Sequence, residues 1–136
     1  MLAWTTTPDT PGGLTFAPAL DPVPLPHEVL VCVEAIAPNP GDLAGLADAP
    51  AGTVPAWDGS GVVLEPAADG TGPTAGERVL FLGLSGGWAQ RRAVPRAMTA
   101  AAPRTSPSST SPPFPSPPPA PCVPCGGSAP CSADGS

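Results

Sequence analysis

Glu28-Val-Leu-Val-Cys-Val-Glu-Ala-Ile-Ala37 places Val29, Val31, Val33, Ala35 and Ala37 at every second position, the spacing that lines one face of an extended strand. The opposite face carries Glu28, Leu30, Cys32, Glu34 and Ile36, so one side reads as core and the other as mixed. Before it, Asp21-Pro-Val-Pro-Leu-Pro26 has a proline at every second residue, which removes backbone donors, excludes helix and favours an extended lead into the strand. After it, Ala37-Pro-Asn-Pro-Gly-Asp42 reads as a turn-rich loop in which Asp42 caps a short helical turn through Leu43-Ala-Gly-Leu46.

Further out, Gly59-Ser-Gly-Val-Val-Leu-Glu65 reads as a strand whose glycines permit close backbone packing. Ala67-Ala-Asp-Gly-Thr-Gly72 reads as a turn. Glu77-Arg-Val-Leu-Phe-Leu82 and Trp88-Ala-Gln-Arg-Arg-Ala-Val94 read as two more strands, joined by the glycine-rich stretch from Gly83 to Gly87. Gly76, Glu77 and Arg78 match a turn and strand entry, and Trp88 is expected in a core or an interface. Short strands separated by Gly and Pro turns, with little helix, predict a mainly β fold: an antiparallel barrel or sandwich.

Composition changes near residue 100. From Ala101 to Ser136 lie 11 of the 24 prolines and 8 of the 10 serines, with almost no Val, Leu or Ile. Such a segment cannot offset the roughly 1–2 kcal/mol of backbone entropy that ordering each residue costs. The expected organisation is a folded domain over residues 1–98 and a disordered Pro/Ser/Cys tail over 99–136. The formal charge is −6 and lysine is absent, so no broad positive surface exists to meet phosphates, and nucleic acid is excluded as an expected partner. No run approaches the ~18 apolar residues of a membrane span, and the N-terminus has no basic region leading into a continuous apolar stretch. A cytoplasmic protein, with no membrane partner, is the expectation.

No motif for a nucleotide cradle appears: neither Gly-x-Gly-x-x-Gly between strand and helix nor Gly-x-x-x-x-Gly-Lys-Ser/Thr. His27, the single histidine, sits in the proline-rich lead and reads as a surface residue. Cys122, Cys125 and Cys131 form a Cys-x2-Cys-x5-Cys cluster without a fourth Cys or His nearby, which is too few ligands for a closed structural zinc site. Cys32 reads as a packing residue rather than a nucleophile. Pro112 to Pro121 is stiff enough to engage an SH3-like partner, but no Arg or Lys flanks it to fix orientation.

Read in order, the segments up to about residue 98 resemble the N-terminal, GroES-like domain of the medium-chain dehydrogenase/reductase superfamily. The resemblance rests on Asp21-Pro-Val-Pro with Glu28-Val-Leu-Val-Cys-Val-Glu-Ala, on Asn39-Pro-Gly-Asp42, on Val54-Pro-Ala-Trp-Asp-Gly-Ser-Gly-Val-Val63, on Ala75-Gly-Glu-Arg-Val79, and on Gly86-Gly-Trp-Ala-Gln with Val94-Pro95. It implies a GroES-like, partly open β-barrel. Zinc-dependent members have a Cys where this chain has Asn39, and a His-Glu pair where it has Trp57 and Asp58. The resemblance is therefore to the zinc-free quinone oxidoreductase and enoyl reductase branch, where Asn-Pro-x-Asp is the usual pattern.

In that branch NADPH is held by a C-terminal Rossmann domain, and hydride passes to a quinone or an activated alkene between the two domains. The resemblance implies that Asn39 and Asp42 line the cleft near the cofactor and that Trp57 borders the substrate. It assigns no catalytic residue and no metal ligand to this chain. Turn chemistry is an equal reading of Asn39 and Asp42, since Asn before Pro and Asp at a helix start are both locally explained. Gly59 and Gly61 read as packing positions.

Beyond Met98 the family continues into the rest of its catalytic domain and the dinucleotide fold, whereas here Thr99-Ala-Ala-Ala-Pro-Arg-Thr runs into Ser and Pro. The scarcity of Lys, Tyr, Asn and Ile suggests GC-rich coding DNA, in which a reading-frame slip would produce such a tail. The leading expectation is a substrate-side oxidoreductase domain that lacks its cofactor domain, binds no NADPH by itself and is inactive alone. The alternative is a small β interaction domain displaying a proline-rich tail.

Overall fold

The computed structural model describes residues 1–103 of the 136-residue chain. In chain order it contains β1 (Leu2–Thr6), β2 (Leu14–Pro18), β3 (Glu28–Ile36), a short helix α1 (Pro40–Ala44), β4 (Asp58–Glu65), β5 (Arg78–Leu82), β6 (Arg91–Pro95), a 3-10 turn (Arg96–Met98) and β7 (Thr99–Ala101). The fold is mainly β, as the alternation in the sequence predicts. Five strands form an antiparallel sheet in the order β6-β3-β4-β5-β7, and β1 and β2 form a separate hairpin.

The hairpin is stitched to the larger sheet through the segment that leads into β6. Ala3 bridges Ala89, the Trp4 amide donates to the Trp88 carbonyl and the Gln90 amide to Leu2, while on the other side the Val33 amide donates to Gln90. Residues 88–90 therefore lie between β1 and β3 and join the two sheets without closing them, which leaves the barrel partly open.

The core is built from valines. Val29, Val31, Val63, Val79 and Val94 are fully buried, with Ala67 and Phe81 beside them and Val33 packed against the cluster. β-branched side chains suit this place because their stiff χ1 costs little on a pleated surface, and each buried valine contributes on the order of 1.5 kcal/mol or more.

The structure differs from the sequence reading at four points. The period-two face of β3 does not run its full length: Leu30 and Cys32 are buried along with Val29 and Val31, while Ala35 and Ala37 are exposed. Register shifts between Leu30 and Val31 and between Val33 and Ala35 break the alternation, since a bulge re-aims every side chain beyond it. Second, the helix begins earlier, at Pro40, and its cap is Asn39 rather than Asp42. Third, β1 and β2, which carry no strong alternation, pair antiparallel over their full length with Trp4 opposite Phe16, ring centroids 5.3 Å apart, a cross-strand pair that a single strand's pattern does not reveal. Fourth, regular structure passes residue 98: β7 pairs with β5 through Val79, Leu80 and Phe81, using backbone groups that small Ala residues leave accessible.

Other readings hold. His27 is exposed, and Trp88 is buried. A Cβ at Gly59 would stand 2.6 Å from the Ala35 carbonyl oxygen, and one at Gly61 would overlap the Cys32 carbonyl oxygen, so both glycines serve close strand packing. The proline-rich run, the cysteine cluster and the proposed reading-frame slip concern residues outside the described ones.

Candidate functional site

Asn39 is extended, with φ −125° and ψ 163°. Two local rules ask for this conformation: a residue before proline is pushed out of the helical region, and an N-cap residue adopts the β region while its side chain turns back to the helix. Pro40 then occupies the first helical turn, where its missing N–H costs nothing. Asn39 Oδ1 accepts from the Asp42 N–H at 3.0 Å, and Asp42 Oδ2 accepts from the Asn39 N–H at 3.1 Å. This reciprocal capping box confirms the local, turn-chemistry account of both residues. It also leaves Asn39 Nδ2 without a hydrogen bond among the described residues. Asp42 is only 4% exposed, and its Oδ1 has no hydrogen-bond partner among the described residues.

Trp57 lies beside this turn. A Cβ on Gly41 would stand 3.0 Å from Asn39 Oδ1 and 3.8 Å from Trp57 Cη2, so the missing side chain at Gly41 lets the indole and the amide come together. Trp57 remains 46% exposed. The three residues singled out in the sequence, Asn39, Asp42 and Trp57, thus lie around the start of α1, with Asn39 and Trp57 partly exposed and Asp42 buried.

What holds Trp57 was not foreseen. Ala56, just before it, is buried with φ +77°, the only non-glycine in the left-handed region among the described residues. The Trp57 carbonyl accepts from the Gly83 N–H at 2.7 Å and from Arg92 Nη1 at 2.8 Å. Arg92 is 6% exposed, its Nη2 donates to the Ser85 carbonyl, and its guanidinium lies 5.1 Å from the centre of the Phe81 ring. Burial pushes its pKa below the ordinary arginine value, and the nearby Asp58 carboxylate acts in the opposite direction. The signal for Arg92 was available: it precedes Val94 by two residues on β6, so the alternation that buries Val94 also points Arg92 inward.

A cleft of about 540 Å³ lies between the β1–β2 loop and the segment after α1, bounded by Thr7, Gly13, Leu43 and Leu46. Asn39, Asp42 and Trp57 do not line it. The chemistry at the start of α1 is that of a platform: a flat indole, an amide donor and no nucleophile paired with a base. An amide, an indole and a carboxylate committed to a helix cap do not fit zinc, which takes thiolate, imidazole or free carboxylate in tetrahedral array.

An open antiparallel barrel with this turn after β3 fits an oxidoreductase-like domain of the medium-chain dehydrogenase/reductase superfamily. The chain belongs to the alcohol dehydrogenase GroES-like domain family, whose model matches residues 25–104. It is similar to the solved structure of a probable oxidoreductase from Mycobacterium abscessus, at 27% identity and a TM-score of 0.69, covering 76% of this chain and 35% of that one. Mycobacterial Rv1454c complexed with NADPH is similar at 27% identity and a TM-score of 0.66, covering 78% and 35%. A quinone oxidoreductase from Pseudomonas syringae pv. Tomato DC3000 shares the fold at 22% identity and a TM-score of 0.67, covering 77% and 34%. The chain spans about a third of the length of these proteins. No curated protein matches it.

Proposed function

We propose that residues 1–98, extended by β7, form the substrate side of a zinc-free, NADPH-dependent reductase acting on a quinone or an activated alkene. The observation that carries this reading is the approach of the Trp57 indole and the Asn39 amide to the same point beside Gly41, at positions where zinc-dependent members would need metal ligands. An indole face suits a flat, uncharged ring through offset stacking. Asn39 would hold the cofactor's polar edge through its unused Nδ2, and Asp42 would hold Asn39 in place through the capping box. NADPH, when bound, supplies the hydride, and the protein's share is to bind, orient and exclude competing reactions.

The described residues contain no dinucleotide-binding fold, and by this reading they do not transfer hydride on their own. Support comes from the family match and from the NADPH complex of a mycobacterial relative. The test is a fluorescence titration of the chain with duroquinone. Saturable quenching is expected in the wild type and is expected to be lost in Trp57→Phe, with no NADPH consumption in either. Equal quenching in both proteins would remove Trp57 from the substrate side.

A further inference from the structure

We propose that Arg92 is the positioning residue for Trp57: its buried guanidinium bridges the Trp57 and Ser85 carbonyls and so sets where the indole stands beside Asn39. The proposal rests on the reading of Trp57 as a substrate-side residue for its functional meaning, but the clamp itself is visible without any ligand.

A guanidinium is costly to take out of water, so its burial on the same face of β6 as Val94 calls for compensation. Here Nη1 and Nη2 each meet a carbonyl oxygen, the cation lies against the Phe81 ring and Asp58 lies near. The loop is shaped to admit it: a Cβ at Gly83 would collide with Nη2, and one at Gly86 would stand 3.7 Å from Nε. The same Gly83 donates its N–H to the Trp57 carbonyl. The entry to β4 and the glycine-rich loop are therefore tied together at one peptide group, and that group carries the indole.

The backbone on the other side is strained. A left-handed alanine persists only where its surroundings over-determine it, and Ala56 is buried next to the clamped carbonyl. Ala56 is itself held from the loop, its carbonyl accepting from the Gly87 N–H at 3.0 Å, so loosening the Trp57 carbonyl lets the chain turn at Trp57 and swings the indole away from Gly41. Arginine suits the task because its planar fork reaches two acceptors at a fixed spacing, which the single ammonium of lysine cannot do.

The test uses the chain labelled with fluorotryptophan. Its three tryptophans give three fluorine resonances, and Trp57→Phe assigns the one that matters. In Arg92→Gln the Trp57 resonance is expected to move to the solvent-exposed position while those of Trp4 and Trp88 stay. Arg92→Lys is expected to move it too, and Gly83→Ala likewise, because it displaces the guanidinium without removing its charge. An unmoved Trp57 resonance in a folded Arg92→Gln overturns the proposal. Should that variant unfold, Arg92→Lys and Gly83→Ala decide by the same criterion, and collapse of all three resonances in every variant also overturns it, since Arg92 would then hold the sheet rather than Trp57. Duroquinone quenching of the wild type separates the two ideas: its failure alongside a shifted resonance sinks the substrate reading and leaves the clamp standing.

Discussion

Asn39 and Asp42 each satisfy the other's backbone: the Asn39 amide oxygen takes the Asp42 N–H at 3.0 Å, and the Asp42 carboxylate takes the Asn39 N–H at 3.1 Å. The two act as a unit, so Asn39→Ala and Asp42→Ala should each cost about 1 kcal/mol, the usual loss on removing a cap. The double variant should cost measurably less than the sum, as coupled neighbours do. Urea denaturation of the three variants checks this; strict additivity would mean that the box is not a coupled pair.

Ala56 and Ala3 are both buried alanines, but only Ala56 has a positive φ. Ala3→Gly should cost on the order of 1.5 kcal/mol, from a lost methyl group and added chain freedom. At Ala56 the same losses are offset by about 1–2 kcal/mol of relieved left-handed strain, so Ala56→Gly should be close to neutral. Thermal melts of the two variants make the comparison, and an equal loss in both would show that Ala56 stores no strain.

Gly61 faces backbone on its open side: an added Cβ would overlap the Cys32 carbonyl oxygen and stand 2.8 Å from Val31 Cγ1. The β3–β4 ladder would have to part, so Gly61→Ala should cost about 3 kcal/mol or more, the upper range for overpacking. Gly76, at φ +85° with nothing within 4 Å of its Cβ position, should lose only about 1–2 kcal/mol of backbone strain when changed to Ala. Reversal of that order in denaturant midpoints would contradict the close approach of β3 and β4.

Asp69 pairs with Arg96 at 2.6 Å and accepts from the Thr71 N–H and hydroxyl at 3.1 and 2.9 Å. Burial pushes its pKa up, but the Thr71 hydrogen bonds and the Arg96 and His27 charges outweigh it, and the result lies below the ordinary 3.8. A depressed folded-state pKa means stability that is present above the unfolded-state value of about 3.9 and lost as pH falls through the folded value. The Tm gap between wild type and Asp69→Asn should therefore close as pH falls below about 4. Both side chains are partly exposed, so the gap should be small; a gap that widens below that pH would reverse the sign.

Much of the sheet was legible because burial leaves a period. Val29, Val31, Val63, Val79 and Val94 stand on strands the alternation marks, and Gly59 and Gly61 sit where strands must approach. The cap reading erred by three residues, from Asn39 to Asp42, because both residue types cap helices and only the backbone turn shows which one precedes the first turn. Arg92 escaped because a charge normally argues against burial, although its spacing from Val94 placed it inward.

The residues of the chain determined, without any structure, the β class and the proline-stiffened lead into β3, because each follows from covalent geometry and from side chains separated by a few positions. Tertiary structure alone decided that the β1–β2 hairpin joins residues 88–90, that β7 extends the sheet past Met98, and that one guanidinium ties Trp57 to Ser85. Those features arise from groups distant in the chain, as Arg92 is from Trp57 by 35 positions, or from contacts to backbone groups that carry no side-chain signature. Their meeting depends on how the bulged sheet curls, which no local pattern encodes.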